Sequence, residues 1–361
     1  SAFNRFDEYQ FAKYDRSNLE VKLKDALFLV HPKASSPEQQ AIFDKIVSGE
    51  LQTPYTWETQ LSDLGQKHFG TKEEKEAAIR ALWEELIDSR KLGYMALLRN
   101  LRNILHAKVS PKHIETVASI ISDPDKVEKS KQMPFRFLAA YKELMGGKSS
   151  YTSLMLSALE NAVKASVVNL QGFGIDTDVL VAADVSGSMF HTISPKSSVM
   201  LYDIGILLSM LLKSKCRSVV SGMFGNTWKV LNLPPDNILA NTIEMKRREG
   251  EVGYSTNGHT VIKYLIENNI KMDKVMIFTD LQMWDSTDHN LFLEKSWKDY
   301  RKIYPEAKLY LFDLNGYGQA PLRQVEHNVS LIAGWSDKIF DVLDAIENGE
   351  DALALIKQIE I

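Results

Sequence analysis

The chain has 361 residues, of which 44% are hydrophobic and 25% charged, a composition that fits two or three globular domains. Its 43 Lys and Arg stand against 47 Asp and Glu, a net charge of −4, which excludes a uniformly basic nucleic-acid coat. The balance is uneven: residues 1–170 carry 24 basic against 22 acidic side chains, net +2, and residues 171–361 carry 19 against 25, net −6, so a polyanion should prefer the first half. A single cysteine, Cys216, excludes an intrachain disulfide and suggests a reducing, cytoplasmic setting. No apolar run approaches the roughly 18 residues of a membrane span, so no membrane partner is expected.

In chain order, residues 1–170 predict helices over Leu19–Val30, Pro37–Ser48, Thr56–His68, Glu73–Asp88, Leu92–Leu105, Pro111–Ile121, Pro134–Met145 and Leu154–Leu170. Pro37, Pro111 and Pro134 stand where helices would begin, since a first-turn residue needs no N–H partner. Stacked helix pairs, as in a helical-repeat solenoid, are the expected all-α architecture. At Gly172 and Gly174 the texture changes. Strands are predicted at Val179–Ala183, Ser218–Phe224, Trp228–Leu233, Val275–Thr279, Leu309–Leu314 and Val329–Ala333. Helical patterns lie between most of them, at Ser198–Lys213, Ile238–Arg247, Val261–Asn268, Leu291–Ile303 and Lys338–Ile346. This alternation implies a mainly parallel, Rossmann-like α/β sheet covered on both faces. The expected domains are therefore 1–170 and 171–361, with ligands at the carboxyl ends of the strands.

Asp184 and Asp280 end two of those strands. Asp184-Val185-Ser186-Gly187-Ser188 sets a carboxylate and two hydroxyls at alternate positions. If the loop curls, they converge on one point as hard oxygen ligands suited to Mg²⁺ or Mn²⁺. With Ser255-Thr256-Asn257-Gly258 and Val275-Met276-Ile277-Phe278-Thr279-Asp280, the pattern resembles a metal-ion-dependent adhesion site of the von Willebrand factor A type. That resemblance implies Asp184, Ser186, Ser188, Thr256 and Asp280 as ligands, with Thr260 close to the threonine position. It also implies one coordination position left for an acidic protein ligand. No nucleophile relay is evident: His191 and His259 read as polar loop residues, and no phosphate-binding glycine loop of the G-x-x-x-x-G-K-[ST] kind is present. The expectation is a non-enzyme.

The helical half holds a basic stretch. Residues 89–113 contain six Lys or Arg and two His with no acid. On one helix, Leu97, Leu98, Leu101, Ile104 and Leu105 share a face, and Arg99, Arg102, Asn103 and His106 share the opposite one. Such donors suit phosphate oxygens and base edges. A second cluster is Lys22, Lys24, His31 and Lys33, in which Lys24 and His31 lie two helical turns apart. Tyr9, Tyr14, Trp57 and Tyr94 are aromatic residues able to stack on bases.

Taken together, Met95-Ala96-Leu97-Leu98-Arg99-Asn100-Leu101-Arg102-Asn103 followed by Asp184-Val185-Ser186-Gly187-Ser188-Met189 resembles the Ro autoantigen family, which joins a helical-repeat TROVE module to a von Willebrand A domain. Phe6-Asp7-Glu8-Tyr9-Gln10-Phe11-Ala12-Lys13-Tyr14, Leu27-Phe28-Leu29-Val30-His31-Pro32-Lys33 and Lys131-Gln132-Met133-Pro134-Phe135-Arg136-Phe137 are similar to TROVE segments. The similarity looks closest to bacterial members. It implies a HEAT-like toroid that binds small structured Y RNAs on its outer surface and single-stranded ends of misfolded noncoding RNA in its hole, without catalysis. Bacterial relatives tether an exoribonuclease through the Y RNA. By position, Lys24 and His31 fall in a helix that contacts RNA in the family, and Arg99, Asn100, Arg102 and Asn103 match its Leu-Leu-Arg-Asn motif. Two departures stand out: the family's helical module normally begins further upstream, which puts ring closure by one chain in question, and Phe28 stands where a basic residue is expected. A competing reading is a metal-dependent protein–protein interaction module in which the helices serve only as scaffold. A third is a metal-dependent hydrolase using Asp184 and Asp280.

Overall fold

The computed structural model describes residues 2–15, 20–51, 55–167, 176–195, 197–216, 218–280, 287–316, 328–334 and 343. The chain divides into two compact units, Ser1–Val117 and Ala118–Ile361.

The first unit is helical. It comprises α1 (Glu8–Tyr14), α2 (Leu23–Val30), α3 (Pro37–Ser48), α4 (Trp57–Gly65), α5 (Lys72–Asp88) and α6 (Tyr94–His106), and the division falls within α7 (Pro111–Ser122). Local chemistry sets the starts. Asp7, Ser36, Thr56 and Thr71 each accept a hydrogen bond from the backbone N–H three residues on, and Pro37 follows its cap directly. Gly49 ends α3 in the left-handed region. Phe11, Leu27, Phe43 and Ile46 form a small core around α1–α3. On α6 the apolar stripe is buried as its periodicity predicts: Leu97, Leu98, Leu101, Ile104 and Leu105. The short α1 has too few apolar repeats to be read from periodicity and is absent from the predicted set.

The second unit begins with helices, α8 (Pro124–Ser130), α9 (Pro134–Met145) and α10 (Thr152–Ser166). It continues as β1 (Asp178–Asp184), α11 (Leu201–Lys215), β2 (Ser218–Phe224), β3 (Trp228–Val230), α12 (Ile238–Arg247), α13 (His259–Glu267), β4 (Lys274–Thr279), α14 (Thr287–Ile303), β5 (Lys308–Asp313) and β6 (Val329–Ala333). The strand order is β3-β2-β1-β4-β5-β6. All pairings are parallel except β2 with β3, where the chain turns back through Gly225–Thr227 as a hairpin. The strand predicted over Trp228–Leu233 is thus a short antiparallel edge. The helix predicted over Lys338–Ile346 lies outside the described residues except for Leu343.

The strands are apolar because both faces are covered. On one face Leu180, Ala182, Val275, Ile277, Leu309 and Leu311 pack with Val261, Leu265, Leu293 and Trp297. Across the sheet α11 lies against β1, β2 and β4. Gly205 permits that approach: a Cβ there would stand 2.7 Å from the Cβ of Phe278. Phe278 itself stacks on Phe312 at 4.2 Å between ring centres.

The change of texture near residue 171 marks where strands begin, but the compact units part earlier. The reason is polar and apolar packing between α9, α10 and the sheet's helices. Glu160 on α10 accepts hydrogen bonds from Leu239 N (3.1 Å) and Ala240 N (2.8 Å), capping the otherwise unsatisfied start of α12. Lys142 on α9 pairs with Asp203, which is fully buried in the first turn of α11, and also donates to the carbonyl of Ser198 at 3.3 Å. Met155, Leu159 and Val163 on α10 have no exposed surface.

Candidate metal centre and nucleic-acid surface

In a sheet of this order the chain runs to one side from β1 and to the other from β4. The carboxyl ends of β1 and β4 therefore bound an open crevice, the switch point at which α/β sheets bind ligands. Asp184 is the last residue of β1, and Asp280 directly follows β4. Both are completely buried.

Asp184 is held on both oxygens. Its Oδ1 accepts from Ser186 N at 2.8 Å, curling the loop as its sequence predicts. Its Oδ2 accepts from the hydroxyl of Thr279 at 2.6 Å. Ser186 and Ser188 converge, their Oγ atoms 3.3 Å apart. Burial pushes the Asp184 carboxyl up to about 7; the bonds from Thr279 and Ser186 oppose this, and the nearby charge of Asp280 adds to it.

The loop bearing Thr256 is tied to the same end of the sheet. Asn257 N donates to Gly225 O at 3.0 Å, Ser255 N to Asn226 Oδ1 at 2.9 Å, and Asn257 Nδ2 to Asn226 O at 3.0 Å. Phe224, one residue before that turn, pairs with Asp184. Gly253 lets the two loops touch: its φ is +73°, and a Cβ would meet the side chain of Asn226 at 2.4 Å. Phe190, just after the serine loop, lies 6.2 Å from Tyr254 ring to ring. Thr260 donates its hydroxyl to Asn257 O at 2.7 Å, so it is engaged at the start of α13, whereas Thr256 stays in the loop.

All five predicted ligands thus sit on segments gathered at one end of the sheet. The donor set is all oxygen, with two buried carboxylates as neighbours, and suits a hard divalent cation that would relieve their mutual repulsion. Among the described residues no group of three His, Cys, Asp or Glu side chains is placed to hold a metal; this set has two carboxylates and makes up its number with hydroxyls. Thr279 is the residue that sequence reasoning missed. It stands beside Asp280 in the strand motif, but only strand pairing shows that it reaches Asp184.

On the helical unit, Arg99, Arg102, Asn103 and His106 are exposed along α6, opposite its buried stripe. Asn100 is not with them. It is 2% exposed, donates to Ala96 O at 2.9 Å, and accepts from Asn103 Nδ2 at 2.9 Å, so its amide serves the helix and is removed from the contact set. The acid-free stretch is partly answered from α5: His113 lies 3.2 Å from Asp88, and Glu84 accepts from Ser110 N at 2.8 Å. In the second cluster Lys24 is exposed and donates to Val47 O at 2.7 Å. His31 is not two turns along the same helix. It caps α2 in the left-handed region, with φ 45°, so it leaves the helical register assumed for the pair; Lys33 follows in the exposed connection to α3. The side chain of Tyr14 lies outside the described residues. Trp57 stacks on the buried Trp83, and Tyr94 is half-buried.

A helical module and an α/β domain with this crevice define a two-part class: a helical-repeat region joined to a von Willebrand A domain. Comparison with known proteins agrees. The family described as TROVE domain matches residues 50–148, and that described as Ro60 vWA domain matches 178–345. The chain belongs to the Ro family. It is similar to "Telomerase protein component 1" of Mus musculus, 41% identical over 92 residues, covering 26% of this chain and 3% of that protein. It is also similar to "RNA-binding protein RO60" of Caenorhabditis elegans, 21% identical over 287 residues, covering 75% of this chain and 42% of that one. The chain therefore spans less than half the length of these curated relatives. The crystal structure of Deinococcus radiodurans RO (RSR) protein shares the fold, with a TM-score of 0.59 at 20% identity, covering 97% of this chain and 75% of that one. No helix among the described residues is long and apolar enough to cross a membrane.

Proposed function

We propose that this chain is a noncoding-RNA-binding scaffold of the Ro type. The helical unit binds small structured, Y-like RNAs or misfolded RNAs through the exposed face of α6. The observation that carries this is the exposure of Arg99, Arg102, Asn103 and His106 on one face of α6 while the opposite face of the same helix is buried, inside the segment that matches TROVE. The name of the Caenorhabditis elegans relative supports the same reading. The A domain holds Mg²⁺ or Mn²⁺ through Asp184, Ser186, Ser188, Thr256 and Asp280, and leaves a position for a carboxylate of a protein partner. Within a cytoplasmic RNA quality-control or processing complex, an exoribonuclease is the partner this reading calls for, and the chain itself performs no turnover.

The test is purification from the native cell at low salt, with sequencing of the associated RNA. A small structured RNA should be enriched with the wild-type chain and lost from Arg99→Glu/Arg102→Glu, and binding should weaken steeply with salt. Retention of the RNA by that double variant would overturn the reading. The buried carboxylate pair supports the competing reading, a metal-dependent protein interaction module, and Asp184→Ala separates the two: that reading requires loss of the main partner in Asp184→Ala alone, with no RNA above background.

A further inference from the structure

Two aromatic side chains stand at the carboxyl end of the sheet and supply no metal ligand. Phe190 follows Ser188 by two residues, and Tyr254 precedes Thr256 by two. Their rings lie 6.2 Å apart, inclined at 60°, so the contact joins the loop of Ser186 and Ser188 to the loop of Thr256. Phe190 in turn lies 5.1 Å from the ring of Tyr202. The three rings form a ladder from the core to solvent: Tyr202 has no exposed surface, Phe190 is half-buried, and Tyr254 is 55% exposed. Tyr254 is also seated. Its hydroxyl lies over Gly250, where a Cβ would stand 3.5 Å away. A large exposed ring with restricted motion is the kind of side chain that anchors recognition surfaces.

The surroundings decide what that ring accepts. Charges on the turn Glu249–Glu251 and the end of α12 are matched among themselves: Glu251 pairs with Arg248 at 2.9 Å and with Lys229 at 2.6 Å, and Arg247 with Glu244 at 2.8 Å. A cation is disfavoured, because the Lys246 ammonium already lies 5.4 Å from the ring centre of Tyr202 at the base of the ladder, and a divalent ion in the crevice adds repulsion. An apolar group meets neither obstacle. Two residues of chain span at most about 7 Å, so the backbone of Tyr254 lies within that distance of Thr256, close to the spacing of neighbouring side chains on an extended peptide.

We propose that the Phe190–Tyr254 face selects the protein partner held at the metal site: a segment whose coordinating Asp or Glu is flanked by a large apolar side chain, such as Phe or Leu, laid on the Tyr254 ring. The inference rests on the metal-site reading and adds a specificity that an ion alone lacks, since an ion accepts any carboxylate.

The experiment titrates the full chain, loaded with Mn²⁺, with acetyl-Gly-Phe-Asp-Gly-amide and with the same peptide carrying Ala or Lys in place of Phe. Water-proton relaxation reads the ion directly, because a carboxylate that binds Mn²⁺ displaces a relaxing water. The Phe peptide should bind about tenfold more tightly than the Ala peptide, and the Lys peptide no better than the Ala peptide. Tyr254→Ser should cut the Phe preference to about twofold and leave Mn²⁺ affinity unchanged, because hydrogen bonds to Asn226 hold the loop independently of the ring. Tyr254→Phe should keep the preference. Equal binding of the Phe and Ala peptides, a Lys peptide as tight as the Phe peptide, or a preference that survives Tyr254→Ser would overturn the docking face alone. Absence of Mn²⁺ binding, or Mn²⁺ binding untouched by Asp184→Ala, would instead overturn the metal-site reading and this inference with it.

Discussion

Asp184 has no exposed surface and a carboxyl pushed up to about 7 by that burial. In an unfolded chain the same group titrates near 3.8. Between those values the folded state holds the proton that the unfolded state has released, so metal-free stability falls as pH rises through this window and is regained on acidification. Asp184→Asn should flatten that slope, read as a smaller difference between urea midpoints at about pH 5 and about pH 7. Added Mg²⁺ should flatten it in the wild type by favouring the ionised form, and should leave Asp184→Asn unmoved. At this scale the sequence was informative where the partners are neighbours. Asp184, Ser186 and Ser188 lie within five residues, and the curl that joins them is local. Thr279 was not legible, because its bond to Asp184 spans 95 positions and exists only once β1 and β4 pair. Asn100 was misread for a different reason. The recognisable motif suggested a contact, although spacings of three and four from Leu97 and Ile104 already place it on the buried stripe.

Among the elements, α9 and α11 are joined by a charge pair that neither pattern announces. Lys142 and Asp203 are 61 residues apart, in halves with different textures, and both side chains are largely buried. Burial depresses the lysine, and Asp203 works against that depression. Asp203 also accepts from Met200 N at 2.7 Å and so opens α11. Lys142→Ala should cost about 3–5 kcal/mol in chemical denaturation, since it strands a buried carboxylate. Lys142→Met/Asp203→Asn should recover much of that loss, because the amide oxygen can still accept from Met200 while the uncompensated charge is gone. Equal destabilisation by the two would show that the pair contributes more than charge balance. The strands were largely readable as apolar runs, but the direction of β3 was not: a three-residue edge carries too little pattern to distinguish a crossover from a hairpin.

The molecule as a whole has two units whose division at Val117–Ala118 precedes the first strand by some sixty residues. The alternation of helices and strands made the α/β class legible, and the run of helices made the all-α class legible. Which unit α8, α9 and α10 pack with was not legible, since Met155, Leu159 and Val163 look the same whatever they are buried against. A chain cut to residues 118–361 should therefore melt cooperatively. One cut to 171–361 should bind hydrophobic dyes and lose its cooperative transition, because α12 loses the carboxylate of Glu160 at its start and α11 loses Lys142. Matched melting curves of the two fragments check this. The TROVE match runs to residue 148, well inside the second unit. The segment that descends together and the segment that folds together are thus offset along this chain. Recombination at the family seam would part a helix from the domain it completes, so exchange of A domains between relatives should succeed only when the crossover lies upstream of α8.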